Sequence, residues 1–510
     1  MIFTDNWFRE GIWNLRFGMY EEPKSPELST QISRDPYISY PPGSVLPVFA
    51  LSLVSGHEPS ASMVMGYDLL NHLLVTVVLA LTVFFFLISL KLRPVYAAAF
   101  ALIPIALEQL LPAPFYFFQN SFFSDQAVIL PFALVILLEV LRADATGRRR
   151  RVIDLSQGLV FLYGAFTDWL FAFVFAVFLV KRLASGEIDF RHGKRFRRGD
   201  FSFAAGFGAG IALFVIHLTV MMWGNLGWAY AYLDHKYFVR SGTGSSDGFS
   251  GFMSYFRAIR KNVWQGYGRT GELLVMFSIL FVVALAVYLF VASRRLGVSG
   301  EVRRITQLTF IVVPPCILQM YVFLDHSAVH NFSALKLSLP ITIVPFVCFP
   351  VFLAVLARDL WPRLTLPRTL PFVTLAALVL AVSYAALEHA NYSRFFAGRD
   401  AEWYRFAAVT GRHSNASDVV FSPDMEIPYH PPQSVALSMK RVYRISSVAQ
   451  IQDRITSATG KYQVEVIFLH PPQPGSYWVR VAAAADSSLR DSDGTCYIFF
   501  SAARMRRLRL

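Results

Sequence analysis

Apolar residues in this chain do not alternate with polar ones; they come in long unbroken runs separated by short, charged loops. The runs lie at about 69–91, 95–112, 127–142, 153–181, 200–221, 271–293, 305–324, 336–357 and 369–388. About 20 apolar residues in a helix cover the hydrocarbon core of a bilayer. The pattern therefore predicts a polytopic helical membrane protein and excludes an outer-membrane barrel, whose strands would alternate. The run at 153–181 is exceptional. Both its ends are basic, and at 29 residues it is long for one crossing. Its centre, Gly164 to Trp169, sets the small Gly164 and Ala165 beside the polar Thr167 and Asp168. The expectation is two short helices, about 153–167 and 169–181, meeting at a polar bend. Such backbone is tolerated inside the membrane only against protein or a wet cavity. Asp168, at this bend, is either a functional intramembrane acid or the cap of the second helix.

Composition supports this reading. The 510 residues are 55% hydrophobic, 15% aromatic and only 16% charged, with mean hydropathy +0.45. A soluble chain would carry about 25% charged residues. The net charge of +13 comes from 47 Lys and Arg against 34 Asp and Glu. It does not point to nucleic acid, because the basic residues crowd into short loops between apolar runs, as cytoplasmic loops do. Five such loops, around Lys91, Arg148, Lys194, Arg303 and Arg363, hold 21 basic residues; the loops 113–126 and 325–335 hold none. The first set is expected in the cytoplasm and the second outside. This alternation places residues 1–68 and the tail from 391 outside; either the chain inserts with its N-terminus out or, the favoured expectation, an apolar helix precedes Met1. Cys316, Cys348 and Cys496 form neither a CxxC pair nor a His/Cys ligand set, so no metal site is read from them.

The outer regions carry the candidate chemistry. In the first, 1–68, Phe8, Ile12, Leu15 and Met19 recur at helical spacing and predict an amphipathic surface helix. Acids accompany it: Asp5, Glu21, Glu22 and Asp35. The run Tyr40-Pro41-Pro42-Gly43 predicts an extended, sharply turned loop. The loop 222–270 combines aromatics with a Gly/Ser-rich stretch, Ser241 to Gly248, expected to be a linker or lid. In the tail, 391–510, the runs Val419 to Phe421, Val464 to Leu469 and Cys496 to Phe500 read as strands, with a helix at 446–458. They predict a small α/β domain ending in a solvated basic tail.

In layout and weak motifs over about residues 1–390, the chain resembles the GT-C superfamily of integral-membrane glycosyltransferases. That family includes protein O-mannosyltransferases and lipid A aminoarabinose transferases. Asp5 followed by aromatics and then Tyr40-Pro41-Pro42-Gly43 looks like the family's first outer loop. Phe122 to Gln126, opening an apolar helix, is similar to an acidic helix start in the family. Gly158 to Asp168 resembles its broken helix, and His330 to Lys336 before Pro340 its His-x-Tyr-Tyr segment. The resemblance implies an all-α bundle of about 9–11 membrane helices, one pair broken, with a small C-terminal extracytoplasmic α/β domain. It also implies sugar transfer from a polyprenyl phosphate carrier, with Asp5 as catalytic base and Asp125 as a second catalytic acid.

Sugar transfer asks independently for these residue types. A carboxylate must take the acceptor proton, with Glu21, Glu22 and Asp35 as alternatives to Asp5. Donors and cations must hold the leaving phosphate, a role open to Tyr40, Arg257, Lys261, His326, His330 and Lys336. No cofactor is assigned, and a divalent cation stays open. The expected partners are a polyprenyl-phosphate sugar donor, membrane lipids and a glycan, lipid or protein acceptor. The expected place is the inner or plasma membrane, crossed many times. A transporter or flippase of a lipid-linked or sugar substrate is the competing reading. It is weakened by finding one interrupted segment without a counterpart in the second half.

Overall fold

The computed structural model describes residues 2–20, 36–120, 123–187, 201–242, 251–295, 299–360, 366–396, 418–423, 442–456, 463–468, 471–490, 494 and 496–508. The chain forms two compact units: a helical one, Ile38–Pro47 with Ser62–Phe395, and another made of Met1–Tyr37, Val48–Ala61 and Phe396–Leu510.

Helix α1 (Ile2–Glu10) is followed by α2 (Leu46–Ser55), α3 (Ala61–Ser89), α4 (Pro94–Leu110), α5 (Pro112–Asn120), α6 (Ser124–Ala127) and α7 (Ile129–Ala143). Then come α8 (Gly147–Ala165), α9 (Leu170–Ala184), α10 (Ser202–Met221), α11 (Leu226–Arg240) and α12 (Phe252–Arg295). The bundle closes with α13 (Gly300–Val322), α14 (Leu324–Val329), a 3₁₀ segment (Asn331–Leu337), α15 (Ser338–Ile343), α16 (Phe349–Leu360) and α17 (Leu366–Phe396). Among the described residues, seven helices are long and apolar enough to cross a membrane, and α4 with α5 makes an eighth, bent by 60°. The bend follows from Pro112, which holds Leu111 in extended backbone (φ −67°, ψ 138°).

Segment 153–181 is broken as expected. Helix α8 ends at Ala165 and α9 starts at Leu170. Their outer termini come back to one end of the bundle: Arg142 joins Asp154 of α8 (2.7 Å) to Glu187 after α9 (2.5 Å). The same end gathers the other basic loops. Arg304 binds Asp144 (2.6 Å) and the Ser89 carbonyl (3.1 Å), and Arg358 reaches Glu301 (3.3 Å). Helices α8 and α10 cross with their backbones touching. A Cβ on Gly206 would stand 1.9 Å from the Gly158 carbonyl oxygen, an approach that only small residues permit.

Three expectations change. The predicted amphipathic helix over Phe8 to Met19 is instead α1, which stops at Glu10; the Gly11 N–H bonds back to Trp7, and Arg16 and Phe17 take positive φ. The described part of 222–270 is mostly helical, as α11 and the first half of α12, with a break at Gly268 (φ 68°, ψ −179°). That backbone favours glycine. Residues 243–250, within the expected lid, lie outside the described residues. The basic C-terminus keeps Arg504, Arg506 and Arg507 exposed but is not a loose tail: it forms a helix (Ala502–Arg507) capped by Ser501, with Met505 fully buried.

Among the described residues the α/β part has five strands, β1 (Val419–Ser422), β2 (Val442–Arg444), β3 (Gln463–Phe468), β4 (Ser487–Arg490) and β5 (Cys496–Ser501), in the order β2-β1-β3-β5-β4. Strand β1 pairs parallel with β2 and β3, whereas β5 is antiparallel to β3 and β4. Helix α18 (Val448–Thr456) provides the crossover that parallel pairing requires. It buries Ile451 and Ile455 with Val464, Val466 and Phe500.

Candidate functional site

The end of the helical unit opposite the arginine loops is built around Tyr40-Pro41-Pro42-Gly43. Two prolines hold the chain extended into a 3₁₀ turn, Pro42–Ser44. The turn is fastened to the break between α8 and α9. Gly43 N–H donates to the Phe166 carbonyl (2.8 Å), Trp169 Nε1 to the Ser39 carbonyl (3.0 Å) and the Tyr163 hydroxyl to the Gly43 carbonyl (3.3 Å). A Cβ at Gly43 would lie 2.2 Å from Phe166 O, so the turn can seat this deeply only with glycine there. The Tyr40 hydroxyl lies 3.2 Å from His326 Nε2, and the Arg240 guanidinium sits 4.7 Å from the centre of the Tyr40 ring. The His326 and His330 rings are 4.7 Å apart, and His330 stacks on Phe332 at 4.8 Å.

A buried charge group lies in the same unit. Lys336, on the 3₁₀ segment, places Nζ 2.5 Å from Asp125 Oδ1 and 3.8 Å from Asp168 Oδ1. All three side chains are at most 3% exposed. Asp168 caps α9: Oδ1 accepts the Leu170 N–H at 2.7 Å, and also the Gln319 amide at 3.1 Å. Its Oδ2 is buried and meets no hydrogen-bond donor among the described residues. The 3₁₀ segment is held by the Tyr267 hydroxyl, which donates to the carbonyls of Ala334 (3.1 Å) and Leu335 (3.2 Å). Buried charges are sustained only by such close pairing.

The remaining predicted residues are distributed as follows. Asp5, on α1 in the other unit, is buried and accepts from Arg9 Nε at 3.0 Å. Burial pushes its carboxyl above the ordinary 3.8, against the opposing pull of Arg9. Arg9 also reaches Glu58 at 2.8 Å. Glu21, Glu22 and Asp35 lie outside the described residues. Arg257 and Lys261 stand exposed on the first half of α12, between them Arg260 paired with Glu272. Sequence reasoning missed Asp68, Gln319 and Arg240. Asp68 carried a signal, as a lone acid at the start of an apolar run; it is buried beside the Gln126 amide. Among the described residues no group of three or more His, Cys, Asp or Glu could hold a metal ion.

This architecture is shared with solved membrane glycosyltransferases. ArnT from Cupriavidus metallidurans bound to undecaprenyl phosphate matches at TM-score 0.53 and 12% identity, over 98% of this chain and 92% of that one. The Archaeoglobus fulgidus oligosaccharyltransferase in its apo form matches at TM-score 0.50 and 10% identity, over 91% of this chain and 64% of that one. Both have the GT-C fold, and the chain therefore has that fold too, in a multi-pass helical membrane protein. No protein-family model matches the chain, and no curated protein is significantly similar to it.

Proposed function

We propose that the chain is a membrane glycosyltransferase that moves a sugar from a polyprenyl-phosphate donor to an acceptor at the extracytoplasmic face. The observation that carries the reading is a likeness along nearly the whole chain to a protein crystallised with undecaprenyl phosphate. The polar construction around Tyr40, His326 and Lys336 agrees with it. In this reading Asp5 takes the acceptor proton. Its burial beside Arg9 suits a carboxylate base that must be held in one orientation. Tyr40, His326 and His330 supply donors for the departing phosphate. Lys336, tied to Asp125 and Asp168, keeps its segment in place and contributes positive charge. Asp125 supports Lys336 and has its Oδ1 taken up by it, so its catalytic part is through that lysine. Arg257 and Lys261 meet donor headgroups from the exposed face of α12.

The test is sugar transfer by the purified chain in nanodiscs, with synthetic polyprenyl-phosphate sugars as donors. Transfer is expected from the wild type, and Asp5→Asn is expected to lower the rate by about 10²- to 10⁴-fold while leaving carrier binding intact, as loss of a general base does. Movement of the lipid-linked sugar across the bilayer without transfer would establish the transporter reading instead. Full activity in Asp5→Asn would move the base to Glu21, Glu22 or Asp35.

A further inference from the structure

The end of the bundle that gathers the arginine loops contains a cavity of about 340 Å³, between the ends of α3, α7 and α9 and the starts of α8 and α13. That is enough room for a small polar headgroup. Its wall is basic: Arg142, Arg150, Lys181, Arg303 and Arg304 face two acids, Glu139 and Glu187. The acids are already neutralised. Glu139 is bound by Arg182 at 2.5 Å and by Lys181, and Glu187 by Arg142 at 2.5 Å and by Arg182. Arg304 is occupied with Asp144 and the Ser89 carbonyl. Arg303 is different: it lines the cavity, is exposed, and its guanidinium makes no ion pair or hydrogen bond with any described residue. Gln307, one turn further along α13, lines the cavity and is equally unengaged. The floor is apolar, from Phe86, Leu308 and Ile311.

We propose that this cavity is a binding site for the phosphate of an anionic phospholipid, separate from the sugar-transfer site. Positive charge in excess of neutralised acids favours an anion. Two unengaged side chains at i and i+4 share one face of the helix, a guanidinium for the phosphate and an amide for the headgroup hydroxyls. The apolar floor, at helix ends on the boundary of the membrane, suits the glycerol and first acyl carbons of a lipid better than a free ion. Basic pockets between membrane helices are the ordinary place for such headgroups.

The test uses the full-length chain in a neutral detergent, with bound lipid counted by native mass spectrometry and unfolding followed by heating. The probes are phosphatidylglycerol, phosphatidylcholine and inorganic phosphate. Phosphatidylglycerol is expected to bind and protect, phosphatidylcholine much less, and phosphate at equal concentration not at all. Arg303→Gln is expected to weaken phosphatidylglycerol binding about fivefold, since a basic residue near an anionic lipid contributes on the order of 1 kcal/mol. Adding Gln307→Leu should weaken it further. Unfolding without lipid should stay unchanged, because neither side chain is bonded within the protein. Arg148→Gln removes the same charge from the same loops outside the cavity and should leave binding intact. Equal loss in Arg148→Gln, equal binding of phosphatidylcholine, or equal protection by inorganic phosphate would each overturn the proposal.

Discussion

Lys336 Nζ lies 2.5 Å from Asp125 Oδ1, although 211 residues separate the two in the chain. The contact joins the 3₁₀ segment after α14 to the start of α6, and Asp168, 3.8 Å from the same ammonium, extends it to the break between α8 and α9. Three separate interruptions of helical structure thus meet on one cation. Each is a place where the polar backbone and side chains of a bundle interior need partners.

This pairing predicts strong coupling. Lys336→Met should destabilise the bundle by about 3–5 kcal/mol, because it removes the one cation from two buried carboxylates, and Asp125→Asn should cost less, because Asp168 still stands 3.8 Å from the ammonium. The double variant should cost clearly less than the sum of the two. A double-mutant cycle on thermal or denaturant unfolding in detergent measures this, and strictly additive losses would contradict the pairing.

The burial of Asp5 has a pH signature. Its folded carboxyl titrates above the ordinary 3.8 because desolvation disfavours the charge, while Arg9 pulls it down. For an acid with a raised folded value, the stabilising contribution is present below the unfolded value and is lost as pH rises through the folded one. As a base Asp5 acts only when ionised, so the rate of sugar transfer should rise with pH along an acidic limb whose midpoint lies above 3.8. Arg9→Gln should move that limb to higher pH. A limb that stays in place in Arg9→Gln would show that Asp5 is not the titrating base.

Close seating of the turn at Gly43 makes a local prediction. Gly43→Ala should lower the unfolding temperature markedly, since the new Cβ would collide with the backbone carbonyl of Phe166. Gly66→Ala, in α3 with nothing near its added Cβ, should be neutral or slightly stabilising, as alanine is the better helix former. Similar unfolding of the two variants would refute the geometry.

Opposite ends of the bundle should face opposite sides of the membrane. In a Cys496→Ser background, with Cys316 and Cys348 buried, a cysteine at Arg148 should be labelled only from the cytoplasm. One at Trp223, exposed after α10, should be labelled only from outside. Labelling of both from one side would overturn the topology.

By itself the sequence determined the class of the protein and most of its segmentation. Runs of about 20 apolar residues, basic loops and the basic flanks of 153–181 are local properties, read without knowing any contact. The helix break at Gly164 to Trp169 and three buried strands of the tail followed from them. Tertiary structure alone decided which polar residues meet. Asp125, Asp168 and Lys336 were candidates read separately from three segments, and Asp68, Gln319 and Arg240 were not singled out. What brings Asp125, Asp168 and Lys336 together is the way interrupted helices stack in the bundle, a matter of long-range packing that periodicity does not encode. The reverse held for α1: the spacing of Phe8, Ile12, Leu15 and Met19 was helical, but the turn that starts at Gly11 ended the helix. The physical reason is the same throughout: burial of apolar length is set residue by residue, whereas the pairing of buried charge depends on partners far away in the chain.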